Sequence, residues 1–401
     1  RNADDLRFIK YNLCGVNQHG ILRLLDMTNA RIENDAIGQD GLAGAITLEE
    51  IKLPNTLKSI GKSAFMNSGI KKIVIPKSVT KLDFEIFYQC HSLASISVEA
   101  GNPVFDSRED CNAIIETSTN ILLIGCRSTM VPASVVGLGR SSFSGVRGLT
   151  SLDLPDGVRS IDNSAFWADE GLTSVRLSKS IVELGTGPFV GCSNISSLVI
   201  DPENPVYDSR NNCNAIIETA TNTLIQGFGT TKIPEDVVKI APLAFQYQSL
   251  AYIEIPAGIK ELGESCFRFC NNLTTVVSYI KKPFPVSSTV FSGSNMETAV
   301  LYVPLGTKNA YAATSGWGSF PKIIEMDPTD DELGQYAASV AVSDFGTHYA
   351  GLNTLVDVPV YMVGGSIDPI TNIDYTITTG DNVYQGNIDI SPLSYMMTAQ
   401  V

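Results

Sequence analysis

A repeat of 22 or 23 residues runs through most of this 401-residue chain and constrains its fold more than any other feature. In one copy, Pro155 is followed at fixed distances by the apolar residues Val158, Ile161 and Phe166. Aligned copies begin at Pro54, Pro76, Glu99, Pro132, Pro155, Ser178, Asp201, Pro234 and Pro256. A unit this short cannot bury its apolar residues alone. The copies are therefore predicted to stack and to share one continuous core.

A phenylalanine recurs at the same place in seven copies. The series consists of Phe65, Phe87, Phe143, Phe166, Phe189, Phe245 and Phe267. Before each anchor, apolar and polar residues alternate, which is typical of a short strand with one buried face. The pattern predicts an α/β repeat solenoid in which short parallel strands are joined by tight helical turns around each phenylalanine.

Two of the spacings are 33 residues long, and the two longer units match each other at an offset of 102 residues. Residues 102–117 of the first correspond to residues 204–219 of the second, and each unit predicts a β-hairpin of two apolar strands joined by a polar turn. In the first hairpin Cys111 is expected opposite Cys126, where a disulfide is an open alternative. Phe228 stands at the matching place in the second hairpin, so packing in the core is the preferred interpretation of the cysteines.

The pattern of an apolar residue before proline, then Ile, Ala-Phe and Cys, resembles the BspA-type leucine-rich repeat family of bacterial surface proteins. The residues that carry this resemblance are Leu53-Pro54, Ile75-Pro76, Ile161, Ala165-Phe166, Ile240, Ala244-Phe245, Cys90, Cys192 and Cys270. It covers about residues 20–326 and implies a leucine-rich-repeat horseshoe with a closing cap from Leu301 to Phe320. It also implies an adhesion-type protein that binds proteins or glycans on host or neighbouring cells, extracellular-matrix proteins among them.

Three parts are predicted along the chain: an N-terminal cap at residues 1–50, the solenoid at 51–326 and a small antiparallel β module at 327–401. A polar, proline-bearing stretch at 327–332 separates the last two. Alternating runs at Val356–Val363 and Asp374–Thr379 make the final part resemble the beginning of an immunoglobulin-like sandwich. A complete domain of that kind needs about 100 residues, more than remain here.

Several functions are excluded by composition and motifs. A net charge of −14 argues against nucleic acid as a partner, and no apolar run approaches a membrane-spanning helix of about 20 residues. The three histidines form no metal motif, and no nucleophile or phosphate-binding motif occurs. Asp106 and Asp208 are expected to pair locally with Arg108 and Arg210. The sequence therefore predicts a protein with no enzymatic activity and no cofactor, and its start at Arg1 suits an exported chain whose leader has been removed.

The candidate partner-binding residues are Trp167, Arg176, Tyr247, Tyr252 and Glu254. They are chosen because aromatic residues and arginine dominate binding energy at interfaces. Two alternatives stay open: Trp167 could cover a neighbouring loop, and the outward row of the strands could be a plain solvated face. A second functional hypothesis is a glycan-binding or glycan-processing accessory protein built on the solenoid, which a deep pocket with converging polar groups would favour.

Overall fold

The computed structural model describes residues 3–15 and 20–326, together with four strands at 339–342, 360–363, 372–379 and 382–389. Helices within these residues are short. α1 spans Ala3–Phe8 and continues as a π-helix at Ile9–Leu13, and α2 spans Lys308–Ala313. The 3₁₀ turns are Glu33–Asp35, Arg108–Asp110, Arg210–Asn212 and Trp317–Ser319.

Strands make up most of the regular structure. Up to the first long unit they are β1 (Leu24–Asp26), β2 (Ala36–Ile37), β3 (Glu50–Lys52), β4 (Ser59–Ile60), β5 (Lys72–Ile75), β6 (Lys81–Leu82) and β7 (Ser95–Val98). The next nine are β8 (Phe105–Asp106), β9 (Ile114–Glu116), β10 (Ile121–Ile124), β11 (Gly137–Leu138), β12 (Ser151–Asp153), β13 (Ser160–Ile161), β14 (Ser174–Leu177), β15 (Glu183–Leu184) and β16 (Ser197–Ile200). The second long unit and the last repeats contain β17 (Tyr207–Asp208), β18 (Ala215–Glu218), β19 (Thr223–Gly227), β20 (Lys239–Ile240), β21 (Tyr252–Ile255), β22 (Glu261–Leu262), β23 (Thr275–Ser278), β24 (Val300–Pro304) and β25 (Lys322–Met326).

Successive copies pair in parallel and in register, which confirms the solenoid. The strands before the anchors form the sheets β1-β3-β5-β7, β12-β14-β16 and β21-β23-β24-β25. The two-residue strands after the anchors form a second set of ladders, β2-β4-β6 and the parallel parts of two longer sheets. Equivalent residues of neighbouring strands are paired: Ile73 with Ile96, and Val175 with Leu198. The repeat spacing thus sets the pairing register.

All seven phenylalanines of the repeat are buried, as predicted. Their rings stack in three runs: Phe65 on Phe87, then Phe143, Phe166 and Phe189 with centroids 5.2 Å and 5.0 Å apart, then Phe245 on Phe267. The last run continues into Phe291, which the repeat pattern had not included, and ends against the buried Trp317 at 5.8 Å. This packing closes the core at the C-terminal end of the solenoid.

Both predicted hairpins are present and are part of the solenoid sheets. β9 pairs antiparallel with β10, and β10 then pairs in parallel with β11 of the following copy. The expected local ion pairs are also confirmed, at 2.6 Å for Asp106–Arg108 and 2.7 Å for Asp208–Arg210. Cys111 and Cys126 are free, like the six other cysteines, so the alternative of a disulfide is not supported.

The prediction of tight helical turns was wrong. In each Ser-Ala-Phe segment the residue two before the phenylalanine is left-handed, with φ values of 54° at Ser63 and Ser164. The phenylalanine N–H then points to the neighbouring copy: Phe166 N–H donates to the Pro188 carbonyl at 2.9 Å. A helix would use this N–H within its own turn. The turns therefore form a third hydrogen-bonded ladder between copies, and the repeats are essentially β-structure.

The immunoglobulin-like module is not supported. The strands described in this region are β26 (Ser339–Val342), β27 (Val360–Val363), β28 (Asn372–Thr379) and β29 (Asn382–Asp389). They form two separate antiparallel pairs, β26 with β27 and β28 with β29. The other residues assigned to this module lie outside the described part of the chain.

Candidate functional site

Trp167 and Tyr247 lie in contact although 80 residues separate them in the sequence. Their ring centroids are 5.7 Å apart at an interplanar angle of 69°. The second long unit has no phenylalanine turn of its own, so the turn of Phe189 lies directly against that of Phe245, and Gly191 N–H donates to the Gln246 carbonyl at 3.2 Å. Omission of one turn from the ladder brings the two aromatic side chains together.

Two further aromatic residues extend this contact into a continuous surface. Tyr247 stacks on Phe269 with centroids 4.7 Å apart. Tyr88 reaches Trp167 from the other end: burial raises the pKa of Tyr88, and a hydrogen bond with the Trp167 side chain partly offsets that rise. We call the set Tyr88, Trp167, Tyr247 and Phe269 the aromatic edge. Tyr88 and Phe269 were missed as site residues, although each stands one or two positions after a core phenylalanine, as Trp167 and Tyr247 do.

The backbone beneath the aromatic edge is strained. Tyr247 and Phe269 have φ values of 59° and 58°, in the left-handed region that bulky residues rarely adopt. The same turn position is left-handed in all seven copies and carries Asn67, Gln89, Gly145, Ala168 and Gly191 in the other five. The conformation therefore belongs to the turn of the repeat, and Tyr247 and Phe269 are the bulkiest residues that adopt it.

The remaining predicted site residues lie elsewhere, on the outward faces of the strands. Arg176 is exposed on β14, between Asp153 and Val199 of the neighbouring strands. Tyr252 and Glu254 are two residues apart on β21, and the tyrosine hydroxyl donates to the glutamate carboxylate. Burial, followed by the effect of Glu254, raises the pKa of Tyr252. The five predicted residues therefore lie at three separate locations. Only Trp167 and Tyr247 belong to a larger surface.

Neither of two cavities among the described residues resembles a catalytic pocket. A groove of about 440 Å³ lies between α1 and the segment from Leu25 to Ile32. Its Asp26 carboxylate is already hydrogen-bonded to Thr28 and Lys52, which lowers the pKa of Asp26 to about 2. The second cavity, between the turns of Phe87 and Phe143, has about 20 Å³ open to water, room for one molecule. No group of three or more His, Cys, Asp or Glu within the described residues could hold a metal ion.

This small cavity has a filled counterpart 102 residues further along the chain. There Gln226 donates from Nε2 to the Ala244 carbonyl at 2.7 Å, and Phe228 packs edge-on against Phe189 at 6.2 Å. Ile124 and Cys126 occupy the matching positions in the first long unit. Val146 lines the cavity where the second copy has Gln248, whose Nε2 donates to the Phe189 carbonyl at 3.4 Å. The hydroxyl of Ser142, only 2% exposed, has no partner among the described residues there.

Copying the second junction into the first should therefore stabilise the protein. The triple variant Ile124→Gln, Cys126→Phe and Val146→Gln is expected to raise the free energy of unfolding by about 0.5–2 kcal/mol, because it fills the cavity and supplies amide donors. Urea unfolding of this variant beside the parent measures the change. A destabilised but folded variant would show that the two junctions are not interchangeable.

The fold and the aromatic edge together define a β-rich repeat solenoid with a strained aromatic surface and no enclosed catalytic site among its described residues. The family model of the BspA type leucine rich repeat region matches residues 24–112, 124–225 and 210–309, with six copies. The chain belongs to this family. None of the curated proteins matches it.

Several solved structures are similar in fold. A leucine-rich repeat protein from Eubacterium ventriosum is 18% identical, with 68% of this chain and 83% of that chain covered and a TM-score of 0.42. The pneumococcal vaccine antigen PcpA is 17% identical, over 76% and 67% of the two chains, with a TM-score of 0.39. A leucine rich cell surface protein from Faecalibacterium prausnitzii is 18% identical, over 77% and 61%, with a TM-score of 0.34. Similarity this distant carries no information about a ligand.

Among the helices of the described residues, none is both long and apolar enough to cross a bilayer.

Proposed function

We propose that this chain is a non-catalytic recognition protein of the cell surface and that its aromatic edge binds a protein partner. The observation that carries the proposal is the contact of Trp167, Tyr247 and Phe269, which joins aromatic side chains of three copies on one surface. Tyr247 is 40% exposed, so the ring is available to a partner. Tryptophan and tyrosine clusters of this kind supply most of the binding energy at protein interfaces.

The occupation of the ring faces favours a protein over a glycan. Sugars stack their C–H groups on open aromatic faces, which carry the negative part of the ring quadrupole. In the aromatic edge the face of Tyr247 lies on Phe269, and the Arg268 guanidinium lies 4.5 Å from the centre of the Phe269 ring. Ring faces engaged in these contacts are not available for stacking on pyranose rings. The Tyr247 hydroxyl and the Arg268 guanidinium can donate hydrogen bonds to peptide carbonyls of a protein partner.

The charge of the chain adds a preference for basic partners. The net charge is −14, and complementary charge mainly accelerates association. The net charge of the chain therefore favours a partner with a positive surface around an apolar centre.

The test is a binding screen with matched variants. The parent chain is screened by surface plasmon resonance against purified extracellular-matrix proteins and on a glycan array. Trp167→Ala and Tyr247→Ala are each expected to weaken binding of a protein partner by at least about 1 kcal/mol, or roughly fivefold in Kd. Val199→Ala, on an exposed strand face away from the edge, is the control and should leave Kd unchanged.

Tyr252→Ala discriminates between the two candidate surfaces. If Tyr252→Ala weakens binding while both edge variants bind normally, the strand face of β21 is the binding surface and the proposal is wrong. Binding only to the glycan array, sensitive to Trp167→Ala, would instead support the glycan-binding hypothesis.

A further inference from the structure

One position in the repeat makes the same hydrogen bond in copy after copy. The residue three positions after a core phenylalanine points back and donates to the carbonyl oxygen of the preceding core phenylalanine. The bonds are Cys90 Sγ to Phe65 at 2.9 Å, Cys192 Sγ to Phe166 at 2.9 Å, Gln248 Nε2 to Phe189 at 3.4 Å, Cys270 Sγ to Phe245 at 3.1 Å and Ser294 Oγ to Phe267 at 2.6 Å. Thiol, amide and hydroxyl groups thus serve interchangeably in these five copies, and their common property is a proton to donate. Val146 stands at this position in the copy of Phe143 and makes no such bond, because its side chain is apolar. We call this set of positions the donor column.

In the copy that carries Trp167, the donor column holds an aspartic acid, Asp169. Its side chain is fully buried, and Oδ1 accepts the Gly171 N–H at 3.2 Å. Oδ2 has no partner among the described residues. By the register of the column its target is the carbonyl of Phe143, which already accepts the Val146 N–H at 3.2 Å and has a second lone pair free. An ionised carboxylate can only accept hydrogen bonds, and it would face another acceptor here.

We propose that Asp169 is protonated in the folded protein, that its carboxyl O–H donates to the Phe143 carbonyl, and that loss of this proton loosens the Trp167 turn of the aromatic edge. The neutral acid satisfies both oxygens at once, with Oδ1 accepting and Oδ2–H donating. An effect on partner binding rests on the proposed function. The protonation itself does not.

The groups around Asp169 favour the neutral form. Glu170 on the same turn is a like charge, and Cys192 of the next copy is a buried thiol. Arg147 on the preceding copy pairs with Glu170, and the pKa of His91 is lowered first by burial and then by Arg147. Burial, helped by Glu170, raises the pKa of Asp169 from 3.8 to about 7.

The sign of the pH dependence follows from this rise. In the unfolded chain Asp169 loses its proton near 3.8, whereas the folded protein keeps it up to about 7. The folded state therefore binds more protons between these values, and stability falls as pH rises through this window. The contribution of Asp169 is fully present below about pH 4 and lost above about pH 7.

The test compares the parent with Asp169→Asn and Asp169→Cys. Both substitutes can donate to Phe143 at every pH used, and cysteine is the residue of three other copies. Urea midpoints are measured at about pH 5 and about pH 8.5. The parent midpoint is expected to fall between these pH values by clearly more than that of either variant, and both variants should exceed the parent at the higher pH. Parallel pH dependence in all three proteins would overturn the proposal, and the cysteine variant keeps the test decisive if the asparagine variant does not fold.

A second readout follows the aromatic edge without any ligand. Acrylamide quenching reports Trp167, because the only other tryptophan, Trp317, is fully buried. Quenching of the parent should increase above about pH 7 and stay constant in Asp169→Asn. Constant quenching in the parent would refute the coupling to the aromatic edge. Because no partner is needed, neither result depends on whether the proposed function is right.

Discussion

Phe166→Ala is expected to lower the free energy of unfolding by about 3–5 kcal/mol, the largest effect of any single substitution considered for this chain. The Phe166 ring is fully buried and stacks on two neighbours, Phe143 at 5.2 Å and Phe189 at 5.0 Å. Alanine removes both contacts and leaves a cavity that the hydrogen-bonded turns on either side hinder from closing. Equilibrium unfolding in urea, followed by circular dichroism, measures the loss.

Phe65→Ala is a matched comparison for Phe166→Ala, because Phe65 has only one stacked neighbour. Phe65, near the start of the series, stacks at 5.4 Å on Phe87. Since repeat stability is mainly a sum of nearest-neighbour interfaces, Phe65→Ala should cost less than Phe166→Ala, and the central variant should unfold less cooperatively. Val199→Ala, 53% exposed, should stay within about 0.5 kcal/mol of the parent. A loss below about 1 kcal/mol for Phe166→Ala would mean that the ring stack is not the core of the solenoid.

The periodicity of the sequence was enough to predict the core and the pairing of the solenoid strands. Spacing alone places Phe166 between Phe143 and Phe189, because these three phenylalanines follow one another at intervals of 23 residues. The duplication at an offset of 102 residues likewise predicted the two hairpins and the Asp106–Arg108 and Asp208–Arg210 pairs. These features depend on which residues are apolar and on how far apart they lie, and both are directly visible in a sequence.

The conformation of the turns depends on backbone geometry that composition does not reveal. A Ser-Ala-Phe segment is compatible with a helical turn. Because Ser164 and Ala168 are left-handed, alternate N–H groups, those of Ser164, Phe166 and Ala168, donate to the next copy. Pairing between copies satisfies those groups better than a single isolated helical turn would. The turn conformation therefore depends on the neighbouring copies, which supply the hydrogen-bond acceptors, and not on the segment alone.

Half of the aromatic edge was recognised from the sequence, because Trp167 and Tyr247 are large aromatics at turn positions. Their contact could not be predicted, because it depends on the absence of a phenylalanine turn from the second long unit, which leaves the turns of Phe189 and Phe245 adjacent. The role of Asp169 was hidden for a similar reason. Cysteine, glutamine and serine share no obvious property in an alignment that also holds Val146 and Asp169 at this position, until the structure shows each of the three donating to the carbonyl of the preceding core phenylalanine.

Asn204→Ala is expected to destabilise the protein by about 2–4 kcal/mol, because a single side-chain amide joins the second hairpin to the preceding repeat. Its Nδ2 donates to the Ser178 and Ile181 carbonyls at 2.9 and 2.8 Å. Its Oδ1 accepts the N–H groups of Val206 and Tyr207 at 2.9 and 2.8 Å. Alanine leaves all four backbone groups without these partners, and urea unfolding reports the cost.

The first hairpin provides an internal replicate of this joint. Asn102 makes the same four bonds, donating to Pro76 and Val79 and accepting from Val104 and Phe105. Asn102→Ala should therefore cost about as much as Asn204→Ala, and the double variant should lose about the sum, because sites this far apart with no shared partner are usually additive. Asn204→Asp keeps both acceptor bonds but sets a carboxylate against two carbonyls, so at neutral pH it should be no more stable than alanine. An aspartate variant as stable as the parent would show that the two donated bonds contribute nothing to holding the hairpin in place.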